Sequence, residues 1–201
     1  MGAIVEGHGD ARALPVLIRR IAAECDVQQA ILIDPILRVP ASSLKKEGIL
    51  EGEIENAARK LKGSGGILVL LDCDWDNGCP KFDGPAWLKR AREARPDMPI
   101  ALVLAQREYE AWFIAAAESL RGQRGLARDM IADSQPEDIR NAKGWLSDRM
   151  PPGCPYSPTT DQPALTALFD MAAARRNTDS FDKCYREIAG ILRTLKDKTD
   201  A

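Results

Sequence analysis

A single histidine, His8, stands in 201 residues. That scarcity excludes histidine-rich metal sites and argues against a Ser-His-Asp triad. The five cysteines, Cys25, Cys73, Cys79, Cys154 and Cys184, are odd in number and form no C-x-x-C pair. This removes zinc-ribbon chemistry and a disulfide framework, and the cysteines read as reduced, mostly buried thiols. No apolar run approaches transmembrane length, and no signal-like leader precedes the first strand, so a cytoplasmic protein without membrane contact is expected. Strong charge is lacking too. A net charge of −2 offers no global attraction for nucleic acid, so any phosphate binding needs local basic patches or a bridging metal ion. There is no internal repeat and no low-complexity tract. The length suits one domain, or one domain with an appendage, and four tryptophans among the apolar residues are enough for a real core.

What is present begins with Leu68-Val69-Leu70-Leu71-Asp72-Cys73-Asp74-Trp75-Asp76, an apolar strand that ends in acids. Side chains two apart in a strand share a face, so Asp72 and Asp74 are expected to point the same way, with Cys73 opposite. Like charges so close need a cation between them, and Mg²⁺ or Mn²⁺ prefers carboxylate oxygens. A second acid-ended strand supports this, Ala3-Ile4-Val5-Glu6-Gly7-His8-Gly9-Asp10.

Along the chain, Ala3–Glu6 reads as a strand. Leu14, Leu17, Ile18 and Ile21 then mark an amphipathic helix, in which Pro15 should fall in about the first turn. Ala30–Ile33 and Ile36–Val39 are strand material around Asp34-Pro35. Glu47–Leu61 is helical, Ile67–Asp72 a strand, Pro85–Ala94 a helix opened by its proline, Pro99–Leu104 a strand and Glu108–Leu120 a helix. This alternation of apolar strands and helices predicts an α/β fold, a roughly four-stranded parallel sheet with helices on both faces. Ligands collect at the carboxyl ends of such strands, where Glu6, Asp72, Asp74, Glu108 and Glu110 all fall. Beyond Leu120, Glu137–Arg149 suggests a helix, and a proline-rich stretch spans Met150–Pro163. Ala164–Arg175 and Phe181–Lys196 are amphipathic helices, the second with Ser180 as a candidate N-cap. Residues 1–120 thus read as an α/β domain, and 121–201 as a helical extension packed on it. Two short helices could not bury a sufficient core alone.

Val-Glu-Gly-x-x-Asp followed by Asp-x-Asp at strand ends resembles the Toprim domain of topoisomerases, bacterial primases, RNase M5-like maturases and overcoming-lysogenisation-defect (OLD) nucleases. Arg107-Glu108-Tyr109-Glu110-Ala111-Trp112-Phe113 carries a closer resemblance. So do Tyr156-Ser157-Pro158-Thr159-Thr160-Asp161 and Ser180-Phe181-Asp182-Lys183. These are similar to a small stand-alone Toprim-like family of uncharacterised function, related to the nuclease half of OLD-type systems and often found beside an AAA/ABC-type ATPase in prokaryotic defence loci. The resemblance implies a Rossmann-like Toprim fold, with Glu6 as the first-motif acid and Asp72 and Asp74 as the second. It further implies Asp10 as an additional metal-binding acid, and one of Glu108 and Glu110 completing a second metal position. On a helix those two glutamates would face about 200° apart, so only one should turn inward. The lysine motif of topoisomerases and primases is not found at a fixed place.

The implied activity is Mg²⁺- or Mn²⁺-dependent hydrolysis of DNA or RNA phosphodiesters, with Glu6, Asp72, Asp74, Glu108 and Glu110 as catalytic candidates. The metal set is Glu6, Asp10, Asp72, Asp74 and Glu110. The implied partners are the nucleic-acid backbone and an ATPase, with oligomers allowed. The alternatives are a non-catalytic Toprim-fold subunit acting through its partner, and a phosphotransfer-type domain with an acidic Mg²⁺ pocket. Individual residues have plainer readings. Asp10 suits a helix N-cap, Asp76 a turn, His8 an exposed loop, and Trp112 and Phe113 the core. Arg19-Arg20, Lys45-Lys46 and Arg175-Arg176 suit solvated helix faces as well as a phosphate track. Lys143 and Lys183 are candidates for a charge-stabilising lysine. Thr159-Thr160-Asp161 either folds over the acidic edge or straps the terminal helices to the sheet.

Overall fold

A computed structural model describes residues 1–27 and 31–199, with side chains as far as 197. Four parallel strands form one sheet in the order β2-β1-β3-β4: β1 Gly2–Val5, β2 Ile36–Arg38, β3 Ile67–Cys73 and β4 Ile100–Gln106. Val5 sits opposite Leu70, Leu70 opposite Val103, and Asp72 opposite Ala105. The central strands are buried on both sides, which is why they read as unbroken apolar runs.

Alternation divides the core into two layers. Ala3, Val5, Leu68, Leu70, Val103 and Ala105 face one cluster, which includes residues of α1 (His8–Glu24), α5 (Ala111–Ala115), α8 (Met171–Asn177) and α9 (Asp179–Thr199). Ile4, Val69, Leu71, Cys73, Leu102 and Leu104 face the other, with α2 (Ala41–Leu44), α3 (Ile49–Lys60) and α4 (Pro80–Ala94). The chain grows from β1 to β2 on one side and to β3 on the other. A topological switch point therefore lies between β1 and β3, the place where ligands collect in open parallel sheets.

The expected α/β architecture is observed, and the departures have local causes. Residues 31–33 are not strand, and Ala30 lies outside the described residues. Helix α1 starts at His8, because the Asp10 carboxylate accepts the Gly7 N–H at 2.8 Å and holds the first turn. Pro15 therefore lies two turns in, not in the first. The lost backbone bond is tolerated because Leu14, Leu17, Ile18 and Ile21 are fully buried against the sheet. Helix α4 begins at Pro80, ahead of Pro85, since the Asp83 carboxylate accepts the Cys79 N–H at 2.8 Å. The helix expected over 108–120 is only α5 followed by a 3-10 turn at Ala117–Leu120. The helix expected over 137–149 is a 3-10 turn at Pro136–Asp138 followed by α6 (Ala142–Ser147), capped by Asn141.

The terminal helices pack on the sheet as expected. The segment 164–175 is two helices, α7 (Asp161–Thr166) and α8, broken where Asp170 caps α8 through the Ala173 N–H. Phe113, Phe169 and Phe181 meet at ring separations of 5.2–5.5 Å, and Trp112 lies 5.0 Å from Phe181. Leu165, Phe169, Phe181, Ile188 and Leu192 are buried; Leu195 is partly so, and Leu168, expected inside, is 45 % exposed. Ser180 does not cap α9. Its hydroxyl accepts the Trp112 indole N–H at 2.8 Å, and the Glu137 carboxylate takes the free Asp179 and Ser180 N–H groups instead. No helix among the described residues is long and apolar enough to cross a membrane.

Candidate metal centre

Asp72 is the penultimate residue of β3, on the face shared with Leu68 and Leu70. Its Oδ1 accepts the Tyr109 N–H at 2.8 Å, which ties the end of β3 to the turn after β4. That turn contains Arg107 in the left-handed region at φ 64° and no helix until Ala111. The assumption that Glu108 and Glu110 lie on a helix, and so diverge, therefore fails: both reach the same place. Glu108 Oε2 accepts the N–H groups of Ala142 at 2.7 Å and Lys143 at 3.3 Å at the start of α6, and its Oε1 takes the Lys143 ammonium at 2.6 Å. Glu110 Oε1 accepts the Tyr156 hydroxyl at 3.0 Å. One carboxylate oxygen from each of Asp72, Glu108 and Glu110 lies within 4.8 Å of the others.

Lys143 sits among these acids. Its Nζ is 3.6 Å from Asp72 Oδ2 and 3.3 Å from Glu110 Oε2. Glu110 is only 1 % exposed, and its Oε2 makes no hydrogen bond. A buried acceptor without a hydrogen bond is costly, and here the Lys143 ammonium at 3.3 Å offsets part of that cost.

The remaining acids surround this group. Glu6 follows β1 and accepts the Ala41 N–H at 3.1 Å. The second oxygen of Asp10 accepts the Gln162 side-chain amide at 2.7 Å. Asp74 lies past the end of β3 and is exposed, so the pairing of Asp72 and Asp74 on one strand face does not hold: the strand ends at Cys73. Asp72, Glu108 and Glu110 form the tight group, with Glu6, Asp10 and Asp74 in their electrostatic field. Burial pushes the Asp72 carboxyl well above its ordinary range, Lys143 pulls it back, and Asp10 and Glu110 push it further up. Burial also raises Glu110, opposed by Lys143 and reinforced by Glu108 and Asp10. Burial raises Glu6 too, against the Ala41 bond, with Asp74 and Asp10 adding to the rise. Lys143 is held up despite its burial, by Glu110, Asp72 and then Glu108.

Three residues beyond position 140 complete the edge: Lys143, Tyr156 and Gln162. Lys143 was one of two candidate lysines in the sequence; the other, Lys183, pairs with Glu187 at 2.7 Å on α9. Tyr156 opens one of the motifs of the closer resemblance but has no site role assigned by it, and Gln162 carries no signal beyond the proline-rich stretch around it. That stretch does reach the acidic edge, because Pro158 and Gln162 press on Gly9 so closely that a Cβ there would collide with both. His8 and Asp76 are exposed. One member of each basic pair is used internally, and Arg19, Lys46 and Arg176 are exposed. Arg20 donates to the Thr166 carbonyl, Lys45 lies over Trp75, and Arg175 binds Asp182.

The donor set suits a hard divalent cation. It is all oxygen and net negative around one ammonium, with one buried carboxylate oxygen free of hydrogen bonds. Cys73, on the opposite face, has its thiol pushed up to about 12 by burial and takes no part as a thiolate.

Residues 5–189 match the family described as "Domain of unknown function (DUF4276)", and the chain belongs to that family. Comparison with curated proteins and with solved structures finds no match.

Proposed function

We propose that this DUF4276 protein is a Toprim-type, divalent-metal-dependent phosphodiesterase acting on DNA or RNA. The observation that carries the reading is the Asp72–Glu108–Glu110 group at the carboxyl edge of a parallel sheet, with a buried Glu110 oxygen that has no hydrogen bond. Asp72, Glu108 and Glu110 would hold a Mg²⁺ or Mn²⁺ ion, with Glu6, Asp10 and Asp74 available for a second. Such an ion, when bound, supplies Lewis-acid polarisation of a phosphoryl oxygen and acidification of water.

The protein's own groups do the positioning. The Tyr109 N–H, the Tyr156 hydroxyl and the Gln162 amide fix the carboxylates of Asp72, Glu110 and Asp10. The Lys143 ammonium would neutralise charge on a phosphoryl group entering from solvent. An acidic chain with few clustered basic residues attracts a phosphate backbone weakly, so substrate would be presented by an ATPase partner of a prokaryotic defence system.

The test is cleavage of plasmid and of structured RNA with Mn²⁺, with and without an ATPase identified by co-purification with the protein. Activity lost in Asp72→Asn and Glu110→Gln supports the reading. No cleavage by the wild-type protein with its partner and Mn²⁺ would refute it. One feature favours a second reading. Lys143 already touches all three acids, as in a closed structural ion-pair network, which suits a non-catalytic subunit working through its partner.

A further inference from the structure

We propose that Arg107 grips a phosphodiester oxygen of the polynucleotide, an inference that rests on the phosphodiesterase reading. Arg107 is the residue between β4 and the acid-bearing turn. Its φ of 64° is a conformation that strains any residue with a Cβ. Glycine would make this turn without strain, so the arginine side chain is kept there against the backbone preference.

That side chain is also unsatisfied. The other part-buried arginines are all engaged: Arg20 with the Thr166 carbonyl, Arg90 with Glu51, Arg95 with Asp97, Arg149 with the Trp145 carbonyl and Arg175 with Asp182. The Arg107 guanidinium makes no hydrogen bond or ion pair among the described residues, and its Nε is buried without a partner. Its neighbour Glu108 does not serve it, because both Glu108 oxygens are committed to the start of α6 and to Lys143. A part-buried cation without a counterion is destabilising, so an anion from outside completes it.

Its position selects the anion. Gln106, the last residue of β4, pairs with Cys73 at the end of β3, and Arg107 follows directly. Arg107 therefore stands at the same sheet edge as the acid group. A planar fork of donors beside a carboxylate-rich metal centre matches a phosphate that is neutralised from both sides. The shared chemistry would admit a free nucleotide, but we assign a polynucleotide phosphodiester.

The test is anisotropy of a short fluorescein-labelled oligonucleotide, titrated with the full chain at several salt concentrations in Ca²⁺, alongside Mn²⁺ calorimetry. Arg107→Gln should weaken binding about ten-fold or more. It should also lower the slope of log affinity against log salt by about one, with Mn²⁺ binding unchanged. Arg107→Lys should recover the slope but not the full affinity, having the charge without the fork. Arg107→Gly should bind as poorly as Arg107→Gln yet melt above the wild type, since the strain is relieved; a merely structural arginine would not give that combination. Three results overturn the assignment: an unchanged slope and affinity in Arg107→Gln, no oligonucleotide binding by the wild type, or a nucleoside monophosphate bound as tightly as the oligonucleotide. Failure of the phosphodiesterase reading shows up separately, as absent Mn²⁺ binding and absent cleavage in the wild type.

Discussion

Replacing Lys143 by methionine isolates the electrostatics of the acid group. The substitution keeps the length of the side chain and removes the one ammonium within 3.6 Å of Asp72, Glu108 and Glu110. Removing one partner of a fully buried pair costs about 3–5 kcal/mol. Lys143 is 37 % exposed, so solvent screens part of the loss, and roughly 2 kcal/mol is the reasoned figure at neutral pH. For a chain of this size that is a fall of about 4–8 °C in melting temperature. The effect must depend on pH. The carboxyls of Asp72 and Glu110 lie above their ordinary values of 3.8 and 4.5, so the folded state binds their protons more tightly than the unfolded state does. Their contribution to stability is present in acid and is lost as pH rises through the raised values. Without the ammonium those values climb further, so the gap between variant and wild type should be small near pH 4 and widen towards pH 8. Mn²⁺ should narrow the gap, because in the wild type it must compete with Lys143 for the acids while in the variant it does not; an ion at a hundred-fold excess over its dissociation constant adds about 2.7 kcal/mol to the form that binds it. Differential scanning fluorimetry across pH, with and without Mn²⁺, reads all three effects. A variant that melts with the wild type at pH 8, or a gap that does not change with pH, would refute the argument.

Asp72→Asn and Glu110→Gln should each remove most Mn²⁺ binding in calorimetry, whereas Asp74→Asn should remove less, because Asp74 is exposed beyond the strand; equal losses would contradict the assigned geometry. Phe169→Ala should cost about 3–5 kcal/mol in urea unfolding, since the ring is fully buried between Phe113 and Phe181. Residues 121–201 should be inseparable from the rest, so a chain ending at Leu120 should lose cooperative unfolding and precipitate; a soluble fragment with an unchanged transition would disprove this. The purified chain alone should cleave poorly at physiological salt, and robust single-chain cleavage would remove the need for a partner.

The sheet is legible because β1, β3 and β4 are buried on both faces and carry uninterrupted apolar runs, and the edge is legible because acids follow all three of those runs. Two errors came from local geometry that residue types do not encode. Asp74 was placed on the Asp72 face by extending strand alternation one residue past the true end at Cys73. Glu108 and Glu110 were set apart by helix geometry, where a left-handed Arg107 instead delays the helix to Ala111 and turns both inward. The helices expected over 108–120, 137–149 and 164–175 are shorter in the structure because periodicity cannot register side chains such as Glu108, Asn141 and Asp170 that capture backbone N–H groups and restart the chain. The roles of Tyr156 and Gln162 are not legible because their partners lie 46 and 152 residues away.

Those last separations govern when the acidic edge comes into being. A ribosome that has released the chain through Glu110 has already delivered every carboxylate of the group, but not the lysine, phenol or amide that orders them. Pairings across such spans close late, because the entropy of a long loop must be met before its contacts form. A nascent chain would therefore hold the acids loosely until Gln162 reaches Asp10 and Pro158 settles against Gly9. An ion that favours the ordered acids would, by the same linkage, retain the 151–161 segment on the sheet and shield it from proteases.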